Sequence, residues 1–313
     1  MTLATIDIGT NTALLLVART SPTGALELVE ERAEITRLGR GIGAGGELGA
    51  EGIARTLAAL REFVDIARRH RAKIAAIGTE ALRRAPNRAA FLDPAAEILG
   101  APIEVIDGAR EAALTFQAVA DAFPSALPGA LTVVDIGGGS TEIVIAAGGE
   151  VTFNVSLPLG SVRLTERFIH HDPPRLDEIA AITADVDRAL ASVPFPRSGT
   201  SPVTLVGVAG TVTSLAAMTE ALVSYDAARV HGYRLSQAAL ADQIARLRVG
   251  TQAARERIVG LDPKRADVIL AGALILQRIA VAAGVDEIQV SDRGIRWGLM
   301  HELARKFSVQ GVA

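Results

Sequence analysis

The run Val133-Val134-Asp135-Ile136-Gly137-Gly138-Gly139-Ser140-Thr141-Glu142-Ile143-Val144 restricts what this chain can become more than any other stretch. Leu131 to Ile136 is apolar and β-branched at the length of a buried strand. The three glycines that follow let the backbone turn tightly and aim several N–H groups at one anion. Glu142-Ile143-Val144-Ile145 then resumes as a strand. A glycine hairpin is also how a chain simply turns, and it is the two flanking acids that favour the phosphate reading. Carboxylates beside a phosphate repel it unless a hard divalent cation such as Mg²⁺ lies between them. Gly137, Gly138, Gly139, Ser140 and Thr141 are therefore expected to cradle phosphate, with Asp135 and Glu142 as metal ligands.

The pattern occurs twice. Ile6-Asp7-Ile8-Gly9-Thr10-Asn11-Thr12 precedes the apolar run Ala13 to Ala18, so Asp-Ile-Gly, a short polar turn and a second strand appear at Asp7 and again at Asp135. Gly9, Thr10, Asn11 and Thr12 are expected to bind phosphate as the second hairpin does, and Asp7 joins the metal-side acids. Two related halves, each presenting a hairpin, suggest two lobes facing a cleft. A chain of 313 residues has the length of about two domains.

Composition narrows the chemistry. At 49% hydrophobic and 21% charged, with a net charge of −3, the chain is an ordinary globular protein, and no basic excess marks a nucleic-acid binder. Lysine occurs only at Lys73, Lys264 and Lys306, so an anionic substrate has to be held by backbone amides, arginines and metal. The absence of cysteine excludes disulfides, thiolate catalysis and Cys-ligated zinc. Thr2 to Asp7 already reads as a core strand, with no signal peptide before it, and a cytoplasmic location is expected. The most apolar long segment, Val268 to Val285, is interrupted by Gln277 and Arg278 and is introduced by the helix-start signature Asp262-Pro263. It reads as a buried helix rather than a membrane span.

Along the chain, residues 2 to 36 read as three strands, with turns at Thr10-Asn11 and Ser21-Pro22-Thr23-Gly24. The formal G-x-G-x-x-G at Gly41, Gly43 and Gly46 has no acid at a strand end ~20 residues on, so it reads as a flexible loop rather than a dinucleotide site. Asp65 falls instead on the helix marked by Ile53, Leu57, Leu60, Val64 and Ala67. Lys73 to Gly78 is a strand leading to Thr79-Glu80-Ala81-Leu82-Arg83. Ile103 to Ile106 is another, placing Glu111 at a strand-to-helix turn, and Pro124 to Gly129 is the candidate linker. The second half repeats strands at 131–136, 142–147 and 151–156. Leu157-Pro158-Leu159-Gly160-Ser161 turns into a segment ending near Asp172, and a helix carries Leu176, Ile179, Ile182, Val186 and Leu190. The strand Val203 to Val208 meets a helix start at Ala209-Gly210-Thr211, a third anion or nucleotide contact. Helices at about Ser236–Leu247 and Pro263–Ala283, a strand Glu287–Val290 and a helix Asp292–Phe307 complete the chain. His170-His171 beside Asp172 reads as a surface loop.

Taken in order, Asp7 to Thr12, Thr79 to Arg83, Gly108-Ala109-Arg110-Glu111-Ala112, Asp135 to Glu142, Leu157 to Ser161, Gly207 to Thr211 and Ser291-Asp292-Arg293-Gly294 resemble the exopolyphosphatase and guanosine pentaphosphate phosphohydrolase family. That family is a branch of the actin, Hsp70 and sugar-kinase superfold. The resemblance spans nearly the whole chain. It implies an α/β fold of two ribonuclease-H-like lobes with an interdomain cleft, the first formed by 1–124 with the final helix from about 295–313, the second by 125–294. It also implies Glu111 as the catalytic glutamate, Arg83 as a phosphate contact, and Gly160, Ser161, Gly210 and Thr211 as further substrate contacts. Mg²⁺ is the implied cofactor, with Mn²⁺ and a monovalent cation as further candidates. Polyphosphate or a guanosine polyphosphate is the expected ligand, with no nucleic-acid polymer or membrane as partner and a homodimer as an open candidate. Four positions depart from the family: Arg110 stands where a second acid is common, Glu80 and Arg84 surround the loop arginine, and Trp297 follows Arg296 where an acid is frequent.

The expected activity is release of orthophosphate from the end of inorganic polyphosphate, with a guanosine pentaphosphate phosphohydrolase as the alternative. A kinase of the same superfold and a non-catalytic alarmone or nucleotide sensor are the competing classes. Glu111 weighs against the kinase, and the acids at Glu111, Asp135 and Glu142 together weigh against the sensor. No lysine follows a glycine, and H-E-x-x-H and G-x-S-x-G are missing, which sets aside the corresponding nucleotide, metal and serine chemistries. The sequence closes shortly after its last helix, where long family members continue into helical domains. Short chains cleaved distributively are expected on that basis.

Overall fold

Each hairpin is built on a central strand buried on both faces. A computed structural model describes residues 1–21, 25–42, 46–196 and 203–310, the side chains of 308–310 excepted. Pro22, Thr23 and Gly24 of the second expected turn, Gly43 to Gly45 of the glycine run and the last three residues of the chain lie outside these. Contacts divide the chain into Met1–Ala118 with the segment from Ile295 onward, and Val119–Gly294.

The first unit contains β1 (Thr2–Ile8), β2 (Ala13–Thr20), β3 (Leu26–Glu34), α1 (Ala50–Arg69), β4 (Lys73–Gly78), α2 (Glu80–Arg84), α3 (Ala89–Leu99), β5 (Ile103–Val105) and the start of α4 (Gly108–Ala122). The second continues from the end of α4 through β6 (Ala130–Ile136), β7 (Thr141–Ala147), β8 (Glu150–Leu157), α5 (Ser161–Phe168), α6 (Leu176–Leu190), β9 (Val203–Val208) and α7 (Ala209–Thr219). It closes with α8 (Ala227–Val230), β10 (Arg234–Ser236), α9 (Gln237–Val249), α10 (Gln252–Arg255), α11 (Ile269–Ala283) and β11 (Glu287–Val290), after which α12 (Ile295–Gln310) belongs to the first unit. The division falls inside α4, ahead of the Pro124–Gly129 stretch.

The duplication seen in the sequence is a duplication of topology. The first sheet runs β3-β2-β1-β4-β5, and the second repeats it as β8-β7-β6-β9-β11 with β10 added at the far edge. In both, the central strand pairs antiparallel with its hairpin partner and parallel with the strand after the crossover. Every residue of β1 after Thr2 is buried, and so is every residue of β6 after Ala130. This is why both read as unbroken apolar runs apart from Thr5, Asp7, Thr132 and Asp135.

Helix packing follows the periodicity. Leu60, Phe63, Val64 and Ala67 of α1 enter the first core with Phe91 and Leu82. In the second unit α11 is buried on nearly all sides. Its 15 residues span about 22 Å at 1.5 Å each, short of a bilayer core of ~30 Å. No helix among the described residues is long and apolar enough to cross a membrane. The Asp262-Pro263 signature belongs to a separate 3₁₀ turn, Pro263–Arg265, where Asp262 accepts from the Lys264 amide, and α11 starts later, at Ile269.

The final helix docks on the first sheet through an apolar set of Trp297, Met300, Leu3, Leu16, Ala18 and Ala118. Trp297 fills that set and donates its indole N–H to Glu31 at 3.1 Å, while Arg296 pairs with the same carboxylate at 3.0 Å. The departure at Trp297 is thus a packing and hydrogen-bonding residue. Gly298 brings α12 against α4, since a β-carbon there would sit 2.0 Å from the Leu114 carbonyl oxygen. Gly298→Ala is expected to destabilise the protein by about 1–3 kcal/mol, the usual consequence of overpacking, as read by chemical denaturation.

The His170–Asp172 loop is structural. Glu178 in the first turn of α6 accepts from the His170 amide, the His171 ring and the Arg175 amide, each at 2.8 Å. Burial works against its charge, but the His171 and backbone hydrogen bonds prevail and lower its carboxyl from 4.5 to about 2. A carboxylate depressed on folding contributes stability that is complete above its unfolded value and lost as pH falls through the folded one. The melting-temperature gap between wild type and Glu178→Gln should stay constant above about pH 5 and narrow as pH is lowered towards 2.

Candidate active site

The second hairpin is held from one side. Gly137 N–H bonds to Ser140 O at 3.0 Å, closing the turn. The carbonyls of the turn then face α5: Ser161 N–H reaches Gly137 O, Val162 and Arg163 N–H reach Gly138 O, all at 3.0 Å, and Arg163 Nε reaches Gly139 O at 2.6 Å. In a planar trans peptide the carbonyl and the next N–H point opposite ways. Anchoring three carbonyls on α5 therefore aims the N–H groups of Gly138, Gly139 and Ser140 away from it. None of these three has a hydrogen-bond partner among the described residues. Such an arrangement has the form of an anion cradle, braced through its own carbonyls.

This geometry assigns the surrounding residues. Gly160 permits the contact, because a β-carbon there would lie 2.3 Å from Gly138 O. Ser161 uses its amide and its hydroxyl on Gly137 O, and Thr141 uses its hydroxyl on Leu159 O at 2.6 Å. The side chains of Thr141 and Ser161 brace the cradle rather than face into it.

The first hairpin repeats the device with a loop in place of a helix. Gly9 N–H bonds to Thr12 O at 3.0 Å, Gly39 N–H reaches Thr10 O and Arg37 N–H reaches Asn11 O, both at 2.9 Å. Gly39 has no room for a β-carbon, which would fall 2.5 Å from Thr10 Cγ2. The glycine run read as a flexible loop is thus, over Leu38–Ile42, an anchored brace: Leu38 is fully buried and Ile42 nearly so. Asn11 is buried and its Nδ2 has no hydrogen-bond partner among the described residues. A buried amide donor at the tip of such a turn suits an anionic oxygen.

Strand register separates the two hairpins chemically. Asp135 lies opposite Glu142, whereas Asp7 lies opposite Leu14. Directly opposed residues share a face with β-carbons about 4.5–5.5 Å apart, so the second hairpin carries a carboxylate pair and the first a single acid. Asp135 is 6% and Glu142 2% exposed, and Ser156 Oγ donates to Glu142 Oε1 at 2.6 Å. Two carboxylates and a hydroxyl are hard oxygen donors of the kind Mg²⁺ and Mn²⁺ take. Within neither unit do three or more Asp, Glu, His or Cys side chains among the described residues gather as a metal cage. The pair fits a cation that keeps water and phosphate oxygens as its remaining ligands.

In the first unit, β1, β4 and β5 end side by side, with Ile8 opposite Gly78 and Gly78 opposite Val105. That edge, at the carboxyl ends of parallel strands, is where α/β sheets place ligands. It delivers the first hairpin, α2 and α4 together. Asp107 accepts from the Arg110 amide, and Glu111 N–H bonds to Asp107 O, so Glu111 stands in the first turn of α4 at 5% exposure. Arg83 of α2 donates to Glu111 at 3.1 Å, to Ile106 O at 2.8 Å and to Glu80 at 2.8 Å. Burial works against the Arg83 charge, but the Glu111 and Glu80 carboxylates prevail and raise its pKa. Arg110 turns the other way, to Glu302 of α12 at 2.5 Å. Burial opposes the Glu302 charge, while Lys306 and Arg110 hold its carboxyl below the ordinary range.

The third turn is strained and covered. Ala209 opens α7 at a φ of 72°, a left-handed conformation unfavourable for alanine. A β-carbon on Gly210 would lie 2.3 Å from Arg265 Nη2, so the guanidinium rests on the turn. Burial lowers the Arg265 pKa against the opposing effect of Asp262 and Tyr225. The Thr211 side chain packs against Gly272 of α11. Gly39, Ser156, Arg163 and Arg265 were not singled out from the sequence, since each acts through a partner far along the chain.

The pattern of the Ppx/GppA phosphatase family matches residues 16–307. Exopolyphosphatase 2 of Mycobacterium tuberculosis is 38% identical over 319 residues, spanning 96% of this chain and 98% of that protein. A guanosine-5'-triphosphate,3'-diphosphate pyrophosphatase of Vibrio campbellii is 31% identical over 96% of this chain, which spans 59% of that longer protein. Among solved structures, an exopolyphosphatase from Cytophaga hutchinsonii superposes with a TM-score of 0.89 at 28% identity, covering 98% of both chains. The Aquifex aeolicus member of the Ppx/GppA family gives 0.81 at 33% identity, again over 98% of both. The fold is accordingly α/β, with two ribonuclease-H-like lobes of the actin, Hsp70 and sugar-kinase superfold. With one family pattern running from the second strand into the last helix, and full-length relatives on both the sequence and the structural side, this chain belongs to the Ppx/GppA phosphatase family.

Proposed function

We propose that this protein is an exopolyphosphatase, releasing orthophosphate from the end of inorganic polyphosphate by attack of water on the terminal phosphorus, with the two units as its lobes. The observation that carries the reading is the pair of braced hairpins, whose aimed N–H groups suit phosphoryl oxygens and cost no reorganisation when charge builds on them. Glu111, buried at a helix start, serves as the base that orients water and takes its proton. Arg83, held by Glu80 and Ile106 O, supplies the cationic contact to phosphate. Asp135 and Glu142 would hold Mg²⁺, with Asp7 as the corresponding acid of the other hairpin. The cation's contribution is to neutralise phosphate charge beside the acids. The near-complete match to Exopolyphosphatase 2 supports polyphosphate as substrate, and a net charge of −3 with three lysines favours short chains. The likeness to the Vibrio campbellii pyrophosphatase supports guanosine pentaphosphate as a second substrate class.

Chromatography of the products from long polyphosphate, short polyphosphate and guanosine pentaphosphate, each with Mg²⁺, tests the reading. Orthophosphate is expected from the short chains at the highest kcat/KM. Glu111→Gln should lower kcat by about 10²–10⁴-fold with little change in KM, because an amide cannot accept the proton of water. A variant that keeps more than half of the wild-type kcat removes Glu111 from this role.

The metal assignment is tested by titrating activity against Mg²⁺. Asp135→Asn and Glu142→Gln should each raise the Mg²⁺ concentration required for half activity and lower kcat. Wild-type curves in both variants would make these acids structural.

A further inference from the structure

We infer that Arg163 is a positioning residue that sets the direction of the Ser140 N–H in the second cradle. The inference rests on the reading of that hairpin as a phosphoryl site. Of the three anchored carbonyls, Gly137 O and Gly138 O are held by main-chain N–H groups of α5, which any sequence at those positions supplies. Gly139 O is held by a side chain, Arg163 Nε, at 2.6 Å. The peptide from Gly139 to Ser140 has glycine on one side, so little intrinsic preference stops it from rotating. If it rotates, the Ser140 N–H leaves the cradle and the Gly139 carbonyl, a negative dipole, enters it.

Arg163 is suited to this task by its own attachment. Its main-chain N–H bonds to Gly138 O at 3.0 Å, so its Cα is fixed to the hairpin that its side chain corrects. Nε is the donor closest to the stem of the guanidinium fork, and a lysine ammonium, a point charge at the end of a longer flexible chain, does not reproduce its direction. The first hairpin has no such dependence, because Thr10 O and Asn11 O are both held by main-chain N–H groups of Gly39 and Arg37. The two cradles thus differ in what keeps them aimed, and the one beside the carboxylate pair relies on a replaceable side chain.

The test uses the full chain with Arg163→Ala and Arg163→Lys. With short polyphosphate and Mg²⁺, both variants should lose kcat by about 10²-fold, the order found when one donor to a developing oxyanion is removed. KM should change much less, and the melting temperature should stay close to wild type. Guanidinium ion at a non-denaturing concentration should restore activity to Arg163→Ala, while KCl of equal ionic strength should not. Wild-type kcat in either variant, or a loss that guanidinium does not restore, would overturn the assignment. Should Arg163→Ala fold poorly, Arg163→Lys decides alone: a reduced kcat at an unchanged melting temperature supports the assignment, and a wild-type kcat refutes it. A second readout needs no turnover. In wild type the amide resonance of Ser140 should move on titration with orthophosphate, and in Arg163→Lys that movement should shrink while the Gly138 resonance still responds. Equal responses in both proteins would refute the assignment, whereas a wild type that cleaves none of the three phosphoanhydride substrates would instead remove the polyphosphatase reading.

Discussion

A backbone N–H binds an anion well only if its own peptide cannot turn to satisfy itself elsewhere. That constraint organises both hairpins. Each is closed by one N–H to carbonyl bond, from Gly9 to Thr12 and from Gly137 to Ser140, and each has carbonyls at its tip pulled outward by a segment that follows in sequence, Thr10 O and Asn11 O in the first and Gly137 O, Gly138 O and Gly139 O in the second. The glycines serve the approach of that segment as much as the turn. Gly160 stands where a second backbone passes too close for a β-carbon, and Gly39 where the Thr10 side chain does. The strand order that places the segments there is the same in both sheets, so the duplicated topology and the duplicated cradle are one feature.

Charge is distributed with similar economy. Lysine is nearly absent, and two arginines of these elements are committed to oxygens of the protein: Arg83 to Glu80, Glu111 and Ile106 O, and Arg163 to Gly139 O. Held in this way, a guanidinium keeps its direction and loses little side-chain freedom when a phosphate oxygen arrives. Asp135 faces Glu142 whereas Asp7 faces Leu14, so the two hairpins differ in the carboxylates they present although their backbones follow one plan.

What the sequence discloses is what is local. The two Asp-Ile-Gly turns, the strand Lys73–Gly78 and the stripe on α1 are all carried by neighbours within a few residues, and each stands where periodicity places it. The start of α11 misleads because Asp262 and Pro263 form a sound helix cap that the chain uses for a single 3₁₀ turn. Pro94 within α3 hides that helix from pattern reading, and α5 is only 8 residues long. Gly39, Arg163 and Arg265 are silent for a different reason. Their partners, Thr10, Gly139 and Gly210, lie 24 or more positions away, and nothing in the local pattern distinguishes a glycine that admits a close neighbour from one that bends a loop.

The contact at Gly298 has a reach beyond packing. Leu114, whose carbonyl meets it, follows Glu111 by three positions on the same helix, so the two lie on neighbouring turns of one face. Two backbones in such close register leave α4 almost no freedom to slide or roll against α12. The place of Glu111 is therefore gauged by α12, through a residue with no side chain. For a residue proposed as general base this matters, because a displacement of about 1 Å is costly to a catalytic group. Tolerance at that helix crossing is thus a mechanical specification for the carboxylate, fixed by an atom that Gly298 lacks.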